Sequence, residues 1–210
     1  QDGKPVGNGI IGNESPLNLY YAYGIRNSFG IDWDPLTGDL WDTENGPHYG
    51  DEINIVQPGF NSGWVSVQGI WKPNLDEKGK ISLNPDSLVD FGGKGSYSPP
   101  ELTWIPPVAP TAIKFFNSDK LGIQYKNDVF VADANTGSIY RFDLNENRTG
   151  LKLQGPLKDR IANNIEESKD IVFANGFGRI TDTKIGPDGY LYVLASENDG
   201  AALYKITKVQ

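Results

Sequence analysis

Short apolar runs that alternate with polar residues, each closed by a turn, organise this chain. Ser138-Ile139-Tyr140-Arg141-Phe142-Asp143-Leu144 and Ala202-Leu203-Tyr204-Lys205-Ile206-Thr207 put every second side chain on one face, the period of a half-buried strand. Ile31-Asp32-Trp33-Asp34-Pro35-Leu36-Thr37-Gly38-Asp39-Leu40-Trp41 reads as strand, turn, strand. Lys184-Ile185-Gly186-Pro187-Asp188-Gly189-Tyr190-Leu191-Tyr192-Val193-Leu194 reads the same way. Between them, residues 111–116, 128–133 and 137–144 give a trio, and residues 51–57 and 201–208 supply third strands to the outer sets. No long stretch keeps a helical period, and residues 164–170 are the best place for a short helical turn. The pattern predicts an all-β chain, a β-propeller of about three four-stranded blades. A recurring Pro-x-x-Gly or Pro-x-Gly turn before a leucine favours blades over a β-sandwich.

A closed propeller has roughly 4–8 blades. Three therefore read as about half of one, with open faces that self-association or the missing propeller half is expected to cover. Residues 1–210 form one unit, a partial propeller with no dividing linker. Residues 71–100, rich in Gly, Pro, Ser, Asn and Lys, read as a long loop insertion on one face.

Composition narrows the function. The 25 Gly and 14 Pro suit many turns. A net charge of −8 argues against nucleic acid, whose phosphates need clustered Lys and Arg. No apolar run is long enough to span a membrane. With 0 Cys there is no thiolate metal site or Cys nucleophile.

Candidate chemistry lies in turns, where function concentrates. Arg26 and Asn27 in Tyr23-Gly24-Ile25-Arg26-Asn27-Ser28-Phe29-Gly30 suit an anion and an amide or carbonyl, and equally suit ordering a blade turn through backbone hydrogen bonds. The Gly46-Pro47 turn offers bare carbonyls to a cation, with Glu44 close by. Glu44, Asp51 and Glu52 could form a cation site beside that turn; the reading favoured over it is that Asp51 and Glu52 satisfy turn amides and face solvent. His48 reads as an exposed loop residue. Trp33, Trp41, Trp64 and Trp104 are expected to pack between blades, and so is Trp71. Asn13-Glu14-Ser15 and Asn147-Arg148-Thr149 match glycan-acceptor triplets.

Together these motifs resemble the soluble sugar dehydrogenases that use pyrroloquinoline quinone, the glucose/sorbosone dehydrogenase-like family. The family pattern Gly-His-Arg-Asn-x-Gln-Gly, Pro-x-Thr-Gly-x-Leu-Trp, Glu-His-Gly-Pro, Asp-Glu-Ile-Asn, Pro-Gly-x-Asn-x-Gly-Trp and Gly-Pro-Asp-Gly-x-Leu-Tyr-Val meets residues 24–30, 35–41, 44–47, 51–54, 58–64 and 186–193 in order. The resemblance implies the C-terminal half of a six-bladed propeller, a sugar substrate oxidised at C1, and an extracellular, periplasmic or cell-surface location. It implies Arg26, Asn27 and Arg179 as contacts to the quinone, and Gly46, Pro47 and Glu44 around a calcium ion. It also implies a catalytic His upstream of Gln1, so no catalytic residue is expected within this chain. Three positions depart from the pattern: Phe29 stands for the Gln, Asn135 for a Lys or Arg, and Thr181 for a second Arg. Those losses keep an alternative open, a non-enzymatic propeller that binds a protein, a glycan or a cation.

Overall fold

The computed structural model describes residues 9–71, 85–197 and 200–208. Three largely antiparallel sheets follow one another along the chain. In the first, β1 (Ser28–Trp33), β2 (Leu40–Glu44) and β3 (Asp51–Val56) run as a meander. A two-residue strand, β4 (Phe60–Asn61), then pairs in parallel with β5 (Ser96–Tyr97). Strand β6 (Leu102–Trp104) returns to the edge of β3. The second sheet opens with β7 (Pro110–Phe115), β8 (Val129–Asp133) and β9 (Ile139–Phe142). Strand β10 (Ile161–Ala162) goes back to β6, and β11 (Val172–Ala174) completes the second sheet beside β9. Strands β12 (Arg179–Ile185), β13 (Leu191–Glu197) and β14 (Gly200–Ile206) make the third. The first strands β1, β7 and β12 pack in that order, β7 in the middle. These are successive blades of a partial β-propeller, and the sheets do not close.

Two cores glue the blades. Trp41, Ile53, Leu102 and Trp104 of the first sheet meet Ile113, Phe115, Val129, Val131, Tyr140 and Phe142 of the second. Phe130, Ala132 and Ile139 meet Ile180, Leu191, Val193 and Ala195 of the third. Strand β8 feeds both cores from alternate positions, so Val129-Phe130-Val131-Ala132 is apolar without a break. A strand covered on both faces has no polar side to show.

The expected equal blades give way to sheets of five, four and three strands. The strands of the first sheet that the sequence did not show are β6 and β10, three and two residues long, too short to carry a period. The expected turn occurs in the outer sheets. Asp34 Oδ1 accepts from Leu36 N at 2.9 Å, and Gly38 takes φ +79°. Gly189, at φ +80°, closes the second such turn. The middle sheet instead joins β7 to β8 through residues 116–128, with a 3₁₀ turn at Ile123–Tyr125 and a buried Leu121. The expected helical turn forms at Ile165–Ile171, where the Asn164 side chain accepts from Glu167 N. Part of the expected insertion, residues 72–84, lies outside the described residues. No helix among the described residues is long and apolar enough to cross a membrane.

Trp41 and Trp104 are buried as expected, whereas Trp33 and Trp64 are 55% and 37% exposed. Trp33 alternates with Asp32, whose carboxylate turns inward to accept from Phe115 N at 2.8 Å and to pair with Lys114. The indole therefore faces outward on the free side of the first sheet.

At the end of the sheets away from the β2–β3 turn, Arg148 joins two blades. Its Nε donates to the buried Asp34 Oδ2 at 2.6 Å and its Nη2 to Asn127 O at 2.8 Å. Arg148→Ala strands a buried carboxylate and is expected to cost roughly 1.5–3 kcal/mol in urea unfolding. A loss under 0.5 kcal/mol, the order of an ordinary surface substitution, would show that solvent replaces the guanidinium.

Candidate functional site

Strand direction decides which loops share an end. Ser28 pairs with Glu44, Pro110 with Asp133 and Arg179 with Ser196. Thr111 Oγ1 donates to Ile180 O at 2.8 Å and so aligns the starts of β7 and β12. Segments 24–27, 45–50, 105–109, 134–138 and 175–179 therefore gather at one mouth. Arg26, Asn27, Gly46, Pro47, Asn135 and Arg179 all lie there.

The best-ordered part is the pair formed by the turn after β2 and the segment before β1. Asn45 N donates to Asn27 O at 2.9 Å. Arg26 Nη1 donates to Asn45 O at 2.7 Å, and the guanidinium stacks 5.4 Å from the Trp64 ring centroid. A guanidinium has five N–H donors in a planar fork, so an anion can share it. Gly46 and Pro47 are half-buried. A Cβ at Gly46 would run into the Tyr49 carbonyl oxygen, so only glycine lets the turn fold this tightly. Asn45 Oδ1 is buried without a hydrogen-bond donor.

The acidic residues sit differently. Glu44 is 1% exposed, and its oxygens accept from Arg26 N at 2.6 Å and Ser62 Oγ at 2.7 Å. Burial raises its pKa, while Ser62 and Arg26 oppose that. Asp51 and Glu52 do satisfy amides but do not face solvent, since each is 1% exposed. Asp51 accepts from Gly46 N and Ala109 N, and Glu52 Oε1 accepts from Gly69 N at 2.6 Å. Strand alternation sends the two carboxylates to opposite sides of the sheet. Among the described residues no three His, Cys, Asp or Glu side chains are grouped to hold a metal. A cation at this mouth would rest on carbonyl and amide oxygens, which suits a hard ion such as calcium.

The remaining positions are looser. Asn27, His48 and Arg179 are exposed. Asn135 Nδ2 donates to Pro107 O, and Thr181 Oγ1 donates to Leu194 O, so both departing residues serve the scaffold. Phe29 is 60% exposed on the free face of β1. A cleft of about 320 Å³ runs between the inner strands, lined by Phe29, Ile31, Thr111, Thr181, Asp182 and Lys184. Sequence reasoning missed Trp64 beneath Arg26 and the bridging role of Asp51. The signal for Asp51 was its place two residues before Ile53 and four before Ile55, in phase with them, which turns it toward the neighbouring blade.

The family model for glucose/sorbosone dehydrogenase matches residues 1–205. The aldose sugar dehydrogenase YliI of Escherichia coli K12 is 30% identical over 205 residues, 95% of this chain and 47% of that protein. An uncharacterized Synechocystis protein, slr1608, is 28% identical over 87% of this chain and 38% of its own length. The soluble aldose sugar dehydrogenase of Escherichia coli, solved in its apo form, superposes with a TM-score of 0.61 at 28% identity, covering 93% of this chain and 49% of that one. The PQQ-bound aldose sugar dehydrogenase of Streptomyces coelicolor gives a TM-score of 0.62 at 20% identity, over 98% of this chain and 49% of that one. The chain thus spans about half the length of these two enzymes.

Proposed function

Because the chain belongs to the glucose/sorbosone dehydrogenase family, we propose that its mouth is the cofactor side of a sugar dehydrogenase using pyrroloquinoline quinone and calcium. The observation that carries this reading is the clamped turn: Arg26 held on Asn45 O, bare backbone at Gly46, and a buried Asn45 Oδ1 that lacks a donor. A cation beside the turn would satisfy that oxygen together with the carbonyls of Gly46 and Pro47. Arg26 and Arg179 would each offer a fork to a quinone carboxylate, and Asn27 would add an exposed amide. The bound quinone supplies the redox chemistry, accepting the two electrons released when a sugar is oxidised at C1. The protein's share is orientation and charge.

The test is titration calorimetry with calcium, then with the quinone in the presence of calcium. Arg26→Ala is expected to weaken quinone binding by about ten- to a hundred-fold, the value of a charged hydrogen bond, and to leave calcium binding within about threefold. Quinone affinity unchanged by the substitution would sink the assignment of Arg26. The scaffold roles of Asn135 and Thr181 support a second reading, a mouth that holds a cation alone. Calcium binding without any quinone binding would select it.

A further inference from the structure

Asp51 is the charged group that the proposed chemistry leaves unexplained. It begins β3, it is 1% exposed, and it lies level with Trp104 on the adjacent strand. Its two oxygens point to different parts of the fold. Oδ1 accepts from Gly46 N at 2.8 Å, inside the β2–β3 turn, and Oδ2 accepts from Ala109 N at 2.7 Å, at the entry to β7. Ala109 in turn fixes the β8–β9 loop, since its carbonyl accepts from Ala134 N at 3.0 Å. One carboxylate therefore links a turn of the first blade to the inner strand of the second.

We infer that Asp51 is the positioning residue of the mouth: its carboxylate sets the Gly46-Pro47 carbonyls at a fixed place relative to the second blade. The role rests on the functional reading above, because it matters to a ligand only if those carbonyls meet one. The turn offers few other anchors. Pro47 has no N–H, and Gly50 N bonds to Trp104 O at the far end. The Gly46–Asp51 bond is thus the tie next to Pro47. Only a group with two acceptor oxygens can serve both amides. In Asn an NH₂ would replace one oxygen and face an N–H, donor against donor. Arg26 grips Asn45 O, next to the Gly46 amide that Asp51 holds, so the two residues tie the same end of the turn.

The experiment compares Asp51→Asn with Asp128→Asn in the full chain. Asp128 pairs with Arg141 at 2.7 Å at the opposite end of the sheets, so its loss weakens the fold without touching the mouth. Amide hydrogen exchange is followed at Gly46, Ala109, Val131 and Tyr140, and calcium affinity is measured by calorimetry. Asp51→Asn is expected to speed exchange at Gly46 and Ala109 at least tenfold over the change at Val131 and Tyr140. It is also expected to weaken calcium binding at least tenfold. Asp128→Asn is expected to do neither. Wild-type exchange at Gly46 in Asp51→Asn would overturn the inference, as would unchanged calcium affinity beside a loosened turn. Equal effects from Asp128→Asn would also overturn it, by reducing Asp51 to a general stabiliser. Should the wild type bind neither calcium nor quinone, the functional reading fails, and a tenfold gap at Gly46 between the two variants still decides whether Asp51 sets the turn.

Discussion

The 210-residue chain, purified alone at micromolar concentration, is expected to sediment as a dimer or larger. Both ends of the blade series present apolar side chains to solvent. On the first sheet Phe29, Ile31 and Trp33 stand 60%, 55% and 55% exposed. On the third, Leu194 and Leu203, paired across β13 and β14, stand 44% and 68% exposed. The interior faces of the same sheets are packed, so these are blade surfaces without a neighbouring blade. Each large apolar side chain returns about 1.5–3 kcal/mol when buried. A second copy placing its third sheet on the first sheet of its partner covers both faces at once. Ile31→Ser with Trp33→Ser removes roughly 3–6 kcal/mol of that gain, about two to four decades in association constant. The double variant is expected to sediment as a monomer. A wild-type chain that remains monomeric at the same concentration would show that these faces are tolerated in water.

The same residues explain what could be read from the sequence. Alternation exposed β9 and β14, because Tyr140 and Phe142 enter the first core and Tyr204 and Ile206 pack against the second. It did not tell whether a second blade covers the other face. Trp33 and Trp41 look alike in the sequence, yet one lies in water and the other at 0% exposure. The difference comes from β1 and β2 running antiparallel, with only one side of the sheet packed against the second blade. Strands β6 and β10 escaped because two or three residues show no period, and their pairing partners are far away in sequence.

The mouth was legible through its turn chemistry. Gly46-Pro47 needs bare backbone, and Arg26 needs an anion or a carbonyl, and both needs show in residue types. Asp51 and Glu52 were legible only as acids near a turn. Their burial depends on chain segments that return later, at Ala109 and Gly69. An acid two residues before an alternating apolar run shares the face of that run and is to be read as turned inward, as Asp51 is with Ile53 and Ile55.

The second large effect is a loss of stability as pH rises, against the usual direction for carboxylates. On the face of the first sheet away from the second blade, Asp42 and Asn54 stand opposite each other, and so do Glu44 and Glu52. Ser62 and Gly69 help close this layer: Ser62 Oγ reaches both Glu44 and Glu52, and Gly69 N donates to Glu52 Oε1. Burial first, with the Glu44 charge adding to it, pushes Asp42 up to about 7 from 3.8 and Glu52 up to about 8 from 4.5. The geometry agrees independently. Asp42 Oδ1 and Asn54 Oδ1 are both buried acceptors without a donor, and a proton on Asp42 supplies one. The folded protein therefore holds protons that the unfolded chain has released. Stability from these groups is fully present below the unfolded values near pH 4. It falls as pH rises from there through the folded values of about 7 and 8, and levels off above them. Each group can cost on the order of 4 kcal/mol once ionised. Asp42→Asn keeps the shape, removes the charge and puts an N–H where the proton would stand. It is expected to come nearest the wild type at about pH 4 and to melt ~8–16 °C higher at about pH 9. Urea unfolding at each pH gives the same comparison at constant temperature. A wild type that grows more stable from pH 5 to pH 9, or an Asp42→Asn variant that follows the wild type at every pH, would mean that water or a cation in this layer keeps Asp42 ionised.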